Sequence, residues 1–346
     1  MEYIRRFQKA SLKKVYLVVT RKCNLSCPFC IRSSVPTEES TLSKELIYSY
    51  LAQIKEMNDQ ITLIITGGEA TLHPDFREIL QKSCDMFQKV ILCSNGTNLH
   101  AFITNSDILK RMTVQISVDG DSLHHNQLRG NDTYEKAKAT MTFLISQHIK
   151  TVSSSTISAY TIDSVPDMIR DLYESGIRYF KLSAEMPGGE ARNRLHEQIS
   201  VERWNLFCDE IASYSQHFED IHLNIKKSFP FLGHSIKLDS IPEDLFQKAG
   251  CKAGITQVYI YPNQKVYGCP MLIDFPLLDL RLHNLSELET LYQKCALYHY
   301  YVNPDSQCTA CKYQAICRGG CPGRSISNTD IWNGDALCPV VRGEFI

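Results

Sequence analysis

The sequence predicts an α/β fold in which short apolar strands alternate with longer amphipathic helices, followed by a small cysteine-rich C-terminal unit. Three observations carry this reading. Six β-branched, largely apolar runs recur between residues 15 and 185, and parallel strands buried on both faces require such runs. Helical patterns separate them, so successive strands are joined by crossovers of right-handed sense. From Cys251 onward the texture changes to cysteine, glycine, proline and aromatic residues.

The first strand reads VYLVVT (15–20), and TLSKELIYSYLAQIKEM (41–57) follows as a helix. Its Leu42, Leu46, Ile47, Tyr50, Leu51 and Ile54 share one face, and Thr41 or Ser43 caps its start. The strands ITLIIT (61–66), KVILCS (89–94), TVQISV (113–118), TVSSSTI (151–157) and IRYFKLS (177–183) come next. Helices are expected over roughly 75–87, 133–147 and 163–175. Beyond them, WNLFCDEIASY is helical in pattern, and IHLNIKKSFPFLG reads as a strand entering a loop. A domain boundary is expected near residue 240, giving an N-terminal segment (1–14), a main domain (15–240) and a C-terminal domain (241–346). No repeat of solenoid period is present.

A chain of 346 residues with a formal net charge of −1 offers no electrostatic footprint for nucleic acid or for a membrane surface. The apolar run at the N-terminus, Val15 to Val19, is too short for a signal or membrane-spanning segment. A cytoplasmic location is therefore expected, where thiols stay reduced. Fourteen cysteines in that setting point to metal binding wherever they cluster. Three fall in 23–30, and seven besides Cys295 in 251–338. Cys84, Cys93, Cys208 and Cys295 stand alone and read as small buried hydrophobes.

The strand ends are where α/β folds gather function. Here they read TRKCNLSCPFC, TGGEAT, CSNGT and SVDGD, each polar or glycine-rich directly after an apolar run. Cys23, Cys27 and Cys30 bring three thiolates to one loop. Structural zinc normally takes four ligands, whereas a cubane iron–sulfur cluster on three thiolates leaves one iron open.

That loop, with Phe29 before its last cysteine, resembles the signature of the radical S-adenosylmethionine (SAM) superfamily. The resemblance implies a partial (β/α)6, TIM-like barrel in which the open iron of a [4Fe–4S] cluster is chelated by SAM. Reductive cleavage of SAM then yields a 5′-deoxyadenosyl radical. Thr66, Gly67, Gly68 and Glu69 look like the family's GGE motif, with glycines that let backbone approach the ligand and a carboxylate for the SAM amine. Asn95, Ser117 and Asp119 look like its polar contacts to SAM, and Arg129 like a partner for the SAM carboxylate. Read without the resemblance, these polar residues form turns and caps.

The C-terminal cysteines are similar to the SPASM extension, which holds two auxiliary [4Fe–4S] clusters. Two zinc sites are the competing reading of the cysteines alone. The resemblance assigns Cys308, Cys311, Cys317 and Cys338 to the distal cluster, and Cys251, Cys269 and Cys321 to the nearer one, whose fourth position is either open or filled by a residue the sequence does not identify. Gln264 stands where the family pattern has glycine, with Asn263 beside it to supply the bend. Pro270 stands where the sulfatase-maturing branch carries an Asp base, although Asp274 is close in sequence.

The resemblance implies hydrogen-atom abstraction from a ribosomally made precursor peptide and formation of a thioether, carbon–carbon or ether cross-link. Formylglycine formation is the alternative enzyme reading, and an iron–sulfur electron carrier the non-enzyme one. An electron donor such as flavodoxin or ferredoxin is implied as well. The first strand begins near residue 15, so no leader-binding domain is expected ahead of it. Leader recognition is then expected from a separate protein, from the peptide itself or from the 186–250 region. Glu185, Glu190, Arg192 and Arg194 line a substrate channel in one reading and form a solvated loop in the other.

Overall fold

The protein is described here from a computed structural model, which covers residues 11–102, 106–232, 250–302, 306–326 and 334–343. The boundary expected near residue 240 lies outside the described residues.

The six expected strands form. They are β1 (Lys14–Val18), β2 (Thr62–Thr66), β3 (Lys89–Ser94), β4 (Thr113–Ser117), β5 (Lys150–Ile157) and β6 (Tyr179–Ala184). Each pairs in parallel with the next. The intervening helices are α1 (Lys44–Met57), α2 (Phe76–Met86), α3 (Ser122–Arg129), α4 (Thr133–Ser146) and α5 (Val165–Glu174), and α6 (Val201–Ser215) follows β6. Ser43 caps α1, its side chain accepting the Leu46 N–H. Alternate strand residues such as Val15, Leu17, Leu63, Ile65, Val90, Leu92, Val114 and Ile116 are buried against the helices in one continuous core. The opposite face carries Tyr16, Cys93, Gln115, Lys181 and other partly exposed residues, and lines the concave side of the sheet.

The sheet runs further than six strands in both directions. A short strand, β7 (His222–Asn224), adds parallel to β6. On the other side β8 (Gln257–Ile260) pairs in parallel with β1, and β9 (Lys265–Tyr267) and β10 (Leu278–Asp279) continue it antiparallel. The order is β10-β9-β8-β1-β2-β3-β4-β5-β6-β7. The cysteine-rich segment is thus built onto the free edge of β1, which an open barrel leaves unpaired and which would otherwise expose its backbone groups. Among the described residues, no helix is long and apolar enough to cross a membrane.

At the β8–β9 turn the missing glycine has a direct consequence. Gln264 itself takes the left-handed conformation, with φ at 60°. Its backbone is fixed by bonds to Tyr261 O (2.9 Å) and from Leu280 N (2.8 Å). Asn263 has a different task, holding Lys265 N (3.1 Å) and Tyr267 Oη (2.8 Å).

Candidate active site

The cysteine loop follows β1 and is seated by the turn after β2. A Cβ on Gly68 would lie 2.4 Å from Lys22 O, and one on Gly67 would lie 2.7 Å from Thr20 O. Both glycines therefore permit close approach of the loop backbone, and Gly68 N and Glu69 N donate to Thr20 O and Lys22 O at 2.8 Å each. Glu69 is fully buried. Its oxygens accept from Thr71 N (3.2 Å), Thr71 Oγ1 (2.8 Å), Ser94 Oγ (2.9 Å) and Asn95 N (2.7 Å). Burial pushes its carboxyl up, and the Asn95, Thr71 and Ser94 bonds work against that. In this structure Glu69 ties the ends of β2 and β3 together.

Asn95 stands over the loop. Its Nδ2 donates to Asn24 Oδ1 (2.9 Å) and lies 3.9 Å from Cys23 Sγ, while its Oδ1 accepts from Thr97 N at 2.9 Å. Burial pushes the Cys23 thiol up to about 12. Cys27 is raised as well, chiefly by burial, and Arg129 pulls it back. Arg129, the last residue of α3, donates from Nε to Asp119 Oδ2 (2.6 Å) and lies over the Phe29 ring at 5.3 Å. Burial opposes its charge, but Asp119, Cys27 and Cys30 outweigh burial. Asp119, fully buried, also accepts Thr156 N (2.7 Å), and its own N–H donates to His125 Nδ1 (3.0 Å). Ser117, at the end of β4, is half-buried on the face opposite Val114 and Ile116. The structure thus brings Cys23, Cys27, Cys30, Phe29, Gly67, Gly68, Glu69, Asn95, Ser117, Asp119 and Arg129 to one rim of the sheet.

The same rim holds residues that sequence patterns do not single out. Arg32, two positions past Cys30, is raised although burial opposes it, because it faces Tyr261, Tyr259, Cys30 and Cys93. Its Nε has no hydrogen-bond partner among the described residues. Cys93 lies on the concave face, 3.8 Å from Gln115 Oε1, rather than in the core that holds Cys84 and Cys208. Strand alternation explains this, since Val90 and Leu92 point the other way.

Glu185 follows β6 and is buried. Its Oε1 has no hydrogen-bond partner among the described residues, and Arg194 Nε stands 4.0 Å away, also without one. Burial pushes this carboxyl up to about 7, with Arg194 opposing and Glu197 and Asp119 reinforcing the shift. The loop beyond it clamps the cysteine loop: Glu190 N donates to Cys30 O (3.0 Å), and a Cβ on Gly189 would lie 2.3 Å from that oxygen. Glu185 is therefore not part of a solvated loop, whereas Arg192 is exposed.

The C-terminal thiols fall into two groups. Cys251 and Cys321 are close enough to perturb each other's thiols, and Cys269 adds to the same group. The Arg32 guanidinium acts electrostatically on both Cys30 and Cys269, so this group is near the thiol loop. Cys308, Cys311, Cys317 and Cys338 line one small cavity with Tyr313 and Asp335. Among the described residues, no three His, Cys, Asp or Glu side chains are arranged to hold a single metal ion. Asp274 is exposed, and Pro270 opens a short helical turn, Pro270–Leu272.

Fold and site together define a class. Residues 17–172 match the Radical SAM superfamily, and this part of the chain is a radical SAM domain. The chain is 27% identical over 259 residues to the antilisterial bacteriocin subtilosin biosynthesis protein AlbA of Bacillus subtilis, covering 73% of this chain and 54% of that protein. It is 30% identical over 177 residues to the sporulation killing factor maturation protein SkfB of the same organism, covering 51% and 43%. The chain thus spans about half the length of these curated relatives. Streptococcus suis SuiB, solved bound to its precursor peptide SuiA, has the same fold. The TM-score is 0.78 at 16% identity, over 97% of this chain and 78% of that one.

Proposed function

We propose that the chain is a radical SAM maturase that installs an intramolecular cross-link in a ribosomally made peptide. The observation that carries this reading is the three-thiol loop, Cys23, Cys27 and Cys30, flanked by Asn95 and by the Arg129–Asp119 pair on the concave rim. Three thiols without a fourth, beside a held cation, suit an iron–sulfur cluster that takes an external ligand. With SAM on such a cluster, the bound pair supplies a carbon-centred radical able to remove a hydrogen atom from a substrate carbon.

The protein's own residues do the rest. Arg129 presents a fixed cation to the SAM carboxylate, while Asp119 and the Phe29 ring hold its plane. Asn95 and Ser117 offer polar groups to the rest of SAM. The peptide enters the concave face beside Cys93, Gln115 and Lys181. When the cross-link closes, the new bond forms at the carbon radical as one X–H bond breaks. The proton passes to Glu185, whose buried carboxyl has an oxygen without a hydrogen-bond partner among the described residues, and a cluster held by the C-terminal thiols would take up the electron. Pro270 and the exposed Asp274 weigh against the formylglycine reading.

The test is incubation of anaerobic protein, dithionite and SAM with candidate precursor peptides, such as the product of any short open reading frame found beside its gene. The expected product has lost two hydrogens and carries a link visible by tandem mass spectrometry. Turnover of SAM with the peptide mass unchanged would contradict peptide maturation.

A further inference from the structure

Between the two C-terminal thiol groups lies a buried ion pair that the proposed reaction does not use. Arg324 sits in α7 (Pro322–Ile326), directly after Cys321. Its Nε donates to Asp335 Oδ1 at 2.7 Å, and its Nη2 to Asp335 Oδ2. The Arg324 side chain is 14% exposed and that of Asp335 0%. Asp335 Oδ2 also accepts Cys321 N at 2.9 Å, and its Oδ1 accepts Leu337 N at 3.0 Å. Its carbonyl accepts Cys338 N at 2.9 Å. One aspartate thus joins the backbone of a cysteine from each group. Gly320 makes room for it, with φ at 77° and a built Cβ only 2.4 Å from Asp335 Cβ.

The pair is oriented. Asp335 lines the cavity of Cys308, Cys311, Cys317 and Cys338, whereas Arg324 does not and lies over the Phe229 ring at 5.5 Å. The electrostatics agree with this geometry. Arg324 faces Cys321 and Cys251; Asp335 raises the thiols of Cys317 and Cys338, and at Cys321 its effect is smaller than the opposing one of Arg324. A cation beside a cluster stabilises its more negative, reduced form, and an anion does the reverse, most strongly where water is excluded.

We propose that Arg324 and Asp335 form a fixed dipole that raises the reduction potential of a cluster on Cys251, Cys269 and Cys321 and lowers that of a cluster on Cys308, Cys311, Cys317 and Cys338. This rests on the reading that both thiol groups hold iron–sulfur clusters. It makes the cluster near the thiol loop the better electron acceptor of the two. Arg324 and Asp335 are positioning residues, acting on the clusters without binding iron.

The test is an anaerobic redox titration of the reconstituted full chain, followed by electron paramagnetic resonance. The N-terminal cluster is identified by its response to added SAM, and the two others by their loss in Cys269→Ala and Cys317→Ala. In Arg324→Gln/Asp335→Asn, which leaves no lone buried charge, the potential at the Cys269 site is expected to fall and that at the Cys317 site to rise. Asp335→Asn alone is expected to raise the potential at the Cys317 site. Potentials unchanged, or moved together in one direction by the double variant, would overturn the dipole while leaving the clusters in place. A chain without C-terminal clusters would overturn the reading beneath it, and the dipole too.

Discussion

Glu185 shows how one side chain's surroundings set a pH dependence. Burial holds its carboxyl near 7, above the ordinary range, so the folded protein keeps the proton that the unfolded chain gives up. The resulting stability is complete below the usual carboxylate range and is lost as the pH rises through about 7. Glu185→Gln removes this dependence. Its melting temperature relative to the native chain is expected to rise between pH 5 and pH 8 (values on the scale of ordinary and raised carboxyls), and parallel curves would contradict it. Gln264 is the second case. A non-glycine residue in the left-handed region costs about 1–2 kcal/mol, and glycine's extra chain entropy offsets part of that. Gln264→Gly is therefore expected to stabilise the fold by about 1 kcal/mol in denaturant unfolding. A loss would mean that the Tyr50 Oη contact to Gln264 Oε1, at 3.3 Å, outweighs the strain.

The strands and helices were legible where burial is two-sided or periodic. KVILCS forms β3 over its whole length, and the other five strands end within two residues of expectation at either side. What escaped was set by partners distant in sequence. Pairing of β8 with β1 joins residues more than two hundred positions apart, and no local pattern encodes it. Cys93 read as core because its strand is apolar, but its face depends on which side the helices cover. Among the site residues, motif spacing pointed to the thiol loop, the GGE turn and Arg129. Arg32 carried no signal, and Glu185 appeared only as one of several polar residues after a strand. The Arg129–Asp119 pair links α3 to the ends of β4 and β5, and breaking a buried pair on one side costs several kcal/mol. Asp119→Asn is expected to destabilise the chain by about 3 kcal/mol in urea unfolding, and an effect within error would show that Thr156 and His125 suffice to hold this rim.

At the scale of the molecule, one sheet carries both the thiol loop and the C-terminal groups: β1 leads into the loop, and β8 beside it leads toward Cys269. Under the proposed function, radical initiation and electron removal would share one sheet, with Arg32 acting on thiols of both groups. This layout predicts a division of labour that one measurement tests. Anaerobically reconstituted protein with dithionite and SAM is expected to release 5′-deoxyadenosine without any peptide. Cys27→Ala should abolish that release while keeping the C-terminal iron, and Cys317→Ala should retain it. Release that survives Cys27→Ala, or that is absent from iron-loaded native protein, would contradict the assignment of the three-thiol loop as the place where SAM is cleaved.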